Sequence, residues 1–356
     1  MSPTPGLRKL ATFIAAAAAC STALSAPALG AARHKPRHRP NPVTLEWVGD
    51  IALSTQRGLP PGGLQHALAP VAAQLRDADL TLGNLEGTLS VGGASKCGGI
   101  GGGNCFAFQA PPSTARSLHG LGFDIVNMAN NHSFDYGASG RAQTISALSA
   151  AGVAHTGLPG EITVLRLGTR RIALVGFAPY SSDANLLDIP AAEALVRRAR
   201  RSASLVVVII HAGAEGAGAL HTPHGSEFFV GENRGNPRAF AHAVIDAGAS
   251  LVMGSGPHVI RGVERYHGRM IAYSLGNFVG YHTLAGGGVL SDSAILRVTL
   301  GADGHVLAGR WISMLLSGGL PRPDPADASA RLMTTLSRED FPGDHFTMGP
   351  HGRFVP

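Results

Sequence analysis

The run Asn127-Met128-Ala129-Asn130-Asn131-His132-Ser133-Phe134-Asp135-Tyr136-Gly137 concentrates groups that can do chemistry. Asparagine offers a neutral oxygen, histidine a nitrogen lone pair or a proton, and Gly137 lets the backbone turn. The run follows residues 123–126, which read as a short buried strand. Ending a strand needs none of these groups, so the segment reads as part of a site.

Other strand ends deliver matching groups. A strand at 44–48 leads to Gly49-Asp50, and one at 80–82 leads to Gly83-Asn84-Leu85-Glu86. The run at 205–210 leads to His211-Ala212-Gly213-Ala214-Glu215, and 251–253 leads to Gly254-Ser255-Gly256-Pro257-His258. A strand at 270–274 leads to Leu275-Gly276-Asn277-Phe278. Carboxylate, imidazole and amide oxygen together form a donor set for Mn, Fe or Zn. Taken singly, Asp50 or Asn277 is an ordinary turn residue and His211 an ordinary core histidine. The repetition is what points to one convergent pocket.

The elements that must position these groups alternate. Further strands are expected at 171–176 and 294–300, and helices at 64–76, 113–119, 138–150, 191–200 and 237–246. Gly122, Gly152 and Gly248 stand where helices would end, and Pro111-Pro112 and Pro190 where they would begin. Unbroken apolar runs such as 205–210 suit strands covered on both faces. In open α/β sheets, ligands bind at the carboxyl ends of such strands. The segment from about residue 321 is polar, then weakly helical near 328–336.

Composition bounds the rest. The chain has 356 residues, 48 of them Gly, with 6% aromatic and 15% charged residues, which suits an α/β domain with many turns. The net charge of +6 comes from Arg8, Lys9, Arg33, Lys35, Arg37 and Arg39, unopposed by any acid in residues 1–40. The other 23 bases meet 23 acids, so a nucleic-acid partner is not indicated. Residues 1–30 have the basic start, apolar stretch and small-residue exit of a secretory signal peptide, with a retained membrane anchor as the alternative. Residues 31–43 form a basic linker. Outside the cytoplasm, Cys97 and Cys105 are most simply a disulfide closing a glycine-rich loop. No Gly-x-Ser-x-Gly elbow and no phosphate-cradling loop ending in Lys-Ser/Thr occurs, so serine-hydrolase and P-loop chemistry lack their signatures.

At these residues the chain resembles the CapA-like poly-γ-glutamate capsule synthesis family of the calcineurin-like metallophosphoesterase superfamily. The matching pieces are Val48-Gly49-Asp50, Gly83-Asn84-Leu85-Glu86-Gly87, the Asn130-Asn131-His132-Ser133 block with Asp135 and Gly137, His211-x-Gly213-x-Glu215, Gly256-Pro257-His258-Val259 followed by Glu264, and Tyr273-Ser274-Leu275-Gly276-Asn277-Phe278. The resemblance covers residues 44–317, leaving 318–356 as a C-terminal tail. It implies an α/β fold, a four-layer α/β/β/α sandwich of the metallophosphoesterase type, with one or two divalent metals at one edge.

By that resemblance Asp50 and His258 would bind the first metal, Glu86 would bridge, and Asn131 and His211 would bind the second. His132 would be the catalytic histidine with Asp135 fixing its tautomer. Asn130, Glu215 and Asn277 would face substrate or support the ligands. Ser255 and Gly256 stand where the superfamily usually has a histidine, leaving His221, His224 or His282 as replacements to consider. The implied function is a secreted or envelope-associated metal-dependent hydrolase, acting on an anionic cell-envelope polymer or phosphoester in capsule synthesis. The alternative is a non-catalytic polymer-binding or assembly subunit. Capsule-assembly membrane partners are implied by either.

Overall fold

The computed structural model describes residues 42–98, 105–284 and 286–355. The expected signal segment and all of the linker before residue 42 lie outside them. Two sheets organise these residues. The Leu205–His211 strand is buried along its whole length, as its unbroken apolar run demands. It runs parallel to Arg170–Phe177 on one side and Leu251–Ser255 on the other. Arg269–Ala272 continues the parallel order, and antiparallel Val263–Tyr266 and Thr163–Leu167 close the two edges of this six-stranded sheet.

The second sheet has ten strands. Val43–Ile51, Leu80–Leu85, Phe123–Asn127 and Ala154–Thr156 run parallel in that order. Asp292–Leu300 and Val306–Ser317 extend it antiparallel. Residues after 317 belong to the same body: Leu320–Pro323 and Arg353–Val355 both pair with Val306–Ser317.

Inner faces of the two sheets pack on one another. Leu45, Trp47, Leu82 and Ile125 meet Leu174, Val207, Ile209 and Met253 in one buried core. Helices cover the outer faces. A helix expected over 64–76 is instead the short α1 (Gly63–Ala67) followed by 3-10 turns at Ala69–Val71 and Gln74–Arg76. Pro70 is the reason, because it lacks an N–H and disfavours helical geometry at the residue before it. Pro70 has no N–H to bond back to the His66 carbonyl, and the chain leaves the α-helical region at Leu68, ψ 4°.

Helices α2 (Thr114–Leu121) and α3 (Gly137–Ala151) place Leu118, Leu121 and Leu148 on the ten-stranded sheet. Gly122 and Gly152 end them in the left-handed region, at φ 103° and 78°. On the other sheet lie α4 (Ile189–Ser202) and α5 (Pro237–Asp246), through Val196, Phe240 and Val244. Asp188 and Asn236 cap them by accepting the N–H groups of Ala191 and Ala239. A last helix, α6 (Ala328–Asp340), sends Met333 into the inter-sheet core. The order of layers is helix, sheet, sheet, helix: the expected four-layer α/β/β/α sandwich.

Candidate metal centre

Strand register sets the site. Asp50 pairs with Asn84 and with Asn277, and Asn84 pairs with Asn127, so three parallel strand ends line up at one edge of the ten-stranded sheet. In the facing sheet His211 stands opposite Ser255. The sheets are joined here by Trp47 Nε1, which donates to the Gly254 carbonyl at 3.1 Å. Asn84 sits at the hub. Its Nδ2 donates to Asp50 Oδ1 at 2.8 Å and lies 3.2 Å from His211 Nδ1, while its Oδ1 accepts from Asn127 at 2.9 Å and from Asn130 at 3.2 Å.

Asp50, Glu86 and His258 are buried, and one donor atom from each lies within 4.8 Å of the others. His258 Nδ1 is 3.1 Å from Asp50 Oδ2 and 2.9 Å from Asn277 Oδ1, and its Nε2 is 3.6 Å from Glu86 Oε1. Asn277 therefore supports the His258 ring. His258 itself takes φ +60°, a conformation rare outside glycine and found where structure over-determines the backbone. His211 Nε2 and His132 Nε2 each lie 3.9 Å from Glu86 Oε1.

Four buried atoms around this point have no hydrogen-bond partner among the described residues: both oxygens of Glu86, Asn131 Oδ1 and His211 Nε2. Buried polar groups are ordinarily satisfied, because each unsatisfied one costs about 1–3 kcal/mol. These are oxygen and imidazole donors, the chemistry that suits divalent cations.

The electrostatics agree. Burial pushes the Glu86 carboxyl well above its ordinary range. Burial alone would lower His258, but the Glu86 charge, the Asp50 hydrogen bond and charge, and Glu215 together carry it up to about 10. Burial also opposes ionisation of Asp50, yet the hydrogen bond and charge of His258, with His211 and Asn84, hold it below its ordinary value. Burial drives His211 well below its usual value and lowers His132 despite Asp135. Glu86 and His258 thus compete for a proton that a cation would displace, since the charge on Glu86 is what raises His258, and they stand beside two imidazoles that burial keeps neutral.

His132 is held from its far side: its Nδ1 lies 2.8 Å from Asp135 Oδ2, so Nε2 faces the centre. Asn130 shapes the turn, accepting the His132 N–H and donating to the Leu85 carbonyl. Glu215 sits beside the centre, with Oε2 3.6 Å from His258 Nε2 and Oε1 3.5 Å from Asn131 Nδ2. That last contact leaves Asn131 Oδ1 as the free end of the amide. A cleft of about 600 Å³ opens from His132 and Asn131, lined also by Lys96, Phe106, Tyr180 and Arg234. Cys97 and Cys105 form a disulfide at its edge, with Cα atoms 5.7 Å apart.

None of the three histidines weighed as replacements joins the centre. His221 pairs with Asp340, His224 meets Arg238, and His282 meets the Arg57 carbonyl. Sequence reasoning quoted Asn84 and Asn127 without giving them a role, and it left out Lys96 and Arg234. Arg234 is 1% exposed and has Nη2 2.5 Å from Glu215 Oε1. The signal for Asn127 was available: a buried strand that closes on a carboxamide must satisfy it, and its partners are Asn84 and the Ala129 carbonyl.

A four-layer α/β/β/α protein with a buried oxygen and imidazole centre at its strand ends is thereby defined. The chain belongs to the family described as Bacterial capsule synthesis protein PGA_cap, which matches residues 44–282. It is 27% identical to the capsule biosynthesis protein CapA of Bacillus anthracis, covering 81% of this chain and 71% of that protein. Identity is 24% to the PGA biosynthesis protein CapA of Bacillus subtilis strain 168, over 83% of this chain and 77% of that one. Among solved structures, a 5′-nucleotidase precursor from Thermus thermophilus aligns at 14% identity and TM-score 0.45, over 84% of this chain and 59% of that chain.

Proposed function

We propose that this protein is a metal-dependent hydrolase acting on an anionic cell-envelope polymer or a phosphoester during capsule synthesis of the poly-γ-glutamate type. The observation that carries the reading is the set of orphaned donors on Glu86, Asn131 and His211, with Nε2 of both His132 and His211 3.9 Å from Glu86 Oε1. Asp50, Glu86 and His258 would hold one divalent cation, and Glu86, Asn131 and His211 a second, drawn from Mn, Fe or Zn. Such ions supply Lewis-acid polarisation of a substrate oxygen and lower the pKa of water.

The chain's own residues supply the rest. Asp135 holds His132 in the tautomer with hydrogen on Nδ1, so Nε2 is the atom at which a proton is taken up or handed on. Burial keeps that imidazole neutral and ready to accept. The cleft admits the substrate beside it, with Phe106 and Tyr180 offering apolar surface.

Secretion, or retention at the envelope by the apolar segment before residue 30, is part of the proposal and is tested by cell fractionation. Contact with capsule-assembly membrane proteins follows from that location. The functional test is elemental analysis of the purified protein together with turnover of p-nitrophenyl phosphate in added Mn. Full metal content in both Asp50→Ala and His258→Ala would defeat the assignment.

A second reading, a non-catalytic assembly subunit, is favoured by one observation. The second cation position has three protein donors, and none of His221, His224 and His282 completes it. Undiminished polymer output from His132→Ala would select that reading.

A further inference from the structure

The two arms joined by the Cys97–Cys105 disulfide both reach the His132–Asp135 pair. On one arm, Lys96 Nζ lies 2.7 Å from Asp135 Oδ1 and donates to the Asn131 carbonyl at 2.9 Å. The Lys96 backbone N–H also donates to the Asp135 carbonyl at 2.8 Å. On the other arm, the Phe108 N–H donates to Asp135 Oδ2 at 2.6 Å, and the Phe108 ring stacks on the His132 imidazole at 4.3 Å between centroids. The disulfide ties these arms together next to the site.

Asp135 is completely buried, and its two oxygens have different supports. Oδ2 is met by His132 Nδ1 and by the Phe108 N–H. Oδ1 has no hydrogen-bond partner of good geometry among the described residues, and the Lys96 ammonium is the charge that compensates it. A buried carboxylate oxygen without compensation is costly, so removing Lys96 favours rotation of the carboxylate away from its present plane. His132 would then lose the acceptor that sets its tautomer.

We propose that Lys96, held in place by the Cys97–Cys105 disulfide, is a positioning residue for His132, fixing Asp135 so that Nε2 of His132 points into the centre. This rests on the reading of His132 as the group that moves a proton. It assigns the disulfide a role in the site, beyond closing a loop.

The test uses the full protein and two readouts. In the first, the downfield proton resonance of His132 Nδ1–H, identified by its loss in His132→Gln, is followed by NMR. It is expected to be present in wild type, to broaden or vanish in Lys96→Met and in the Cys97→Ser/Cys105→Ser double variant, and to return in Lys96→Arg. The second readout is p-nitrophenyl phosphate turnover. Lys96→Met should lower kcat by roughly 10–100-fold, the usual cost of losing a group that orients a site residue, with little change in KM. An Nδ1–H resonance unchanged in Lys96→Met and in the double variant overturns the proposal. Absence of turnover in wild type defeats the hydrolase reading instead, while the resonance still decides the role of Lys96. Thermal melts of each variant separate a lost clamp from a lost fold.

Discussion

Asn84 Nδ2 donates to Asp50 Oδ1 across 2.8 Å, from a neighbouring parallel strand and at the same level of the sheet. That bond aims the other Asp50 oxygen at His258. A residue with no lone pair pointing to the centre thus orients one that has. Asn84→Ala should cost roughly 1–3 kcal/mol by leaving Asn127 and Asn130 donors unpaired, and should weaken cation affinity as well. Denaturant melts and metal titration check the two effects; full affinity in Asn84→Ala would show that Asp50 needs no such guide.

Glu86 carries the opposite balance of stability and function. Both its oxygens are buried and unpartnered, and burial drives its carboxyl toward the neutral form. Glu86→Gln puts an amide that cannot ionise in place of the carboxyl at nearly constant volume. In chelator-treated protein this variant should be at least as stable as wild type, by up to about 1–3 kcal/mol. Added Mn or Zn should then raise Tm in wild type and leave Glu86→Gln unmoved. A melt of the chelated variant well below wild type would contradict this.

Cation affinity should rise with pH. His258 has its pKa raised to about 10, so near pH 7 it is protonated when no cation is present. A ligand imidazole must give up that proton, so each pH unit below the pKa costs about tenfold in affinity per proton displaced. Calorimetric titrations between about pH 6 and about pH 8, in buffers of different ionisation enthalpy, should show tightening with pH and net proton release. Affinity independent of pH would mean that His258 does not bind through a deprotonated nitrogen.

A second pH effect lies away from the centre. Glu46 stands opposite Arg297 on the adjacent strand, with Oε2 2.7 Å from Arg297 Nη2, yet burial outweighs this and raises its pKa from 4.5 to about 7. A raised folded pKa means that folding favours the protonated form. The contribution is complete below about pH 4.5 and is lost as pH climbs through about 7. Wild type should therefore lose stability relative to Glu46→Gln across that window, by at most about 1.4 kcal/mol per pH unit. Parallel stability–pH curves for the two proteins would refute it.

The close approach of the sheets gives a steric test. A Cβ at Gly176 would stand 2.1 Å from Asn127 Oδ1 and 3.1 Å from Gly157 Cα. Gly176→Ala must displace Asn127, and through it Asn84, for a cost of about 1–3 kcal/mol. Unchanged stability in this variant would show that the Asn127 amide is free to move.

Much of the fold was legible. Unbroken apolar runs at 205–210 and 251–253 identified strands buried on both faces, because a strand between two neighbours and two layers has no polar side to display. Glycines at 122 and 152 marked helix ends, since only glycine enters the left-handed region without steric cost. The helix expected over 64–76 failed at Pro70, which has no N–H to continue the ladder.

By itself the sequence determined which residue types end each strand, and hence that carboxylate, imidazole and carboxamide would meet somewhere. Local pattern reaches that far because a strand's polar terminus is written in adjacent residues. Tertiary structure alone decided which atoms face the centre. Asn84 became a hub, Asn277 a brace for His258, and Lys96 the counter-charge of Asp135. Each role depends on groups tens to hundreds of residues away, brought within about 3 Å by the register of strands and the packing of two sheets, and a lone pair's direction exists only once both partners are in place.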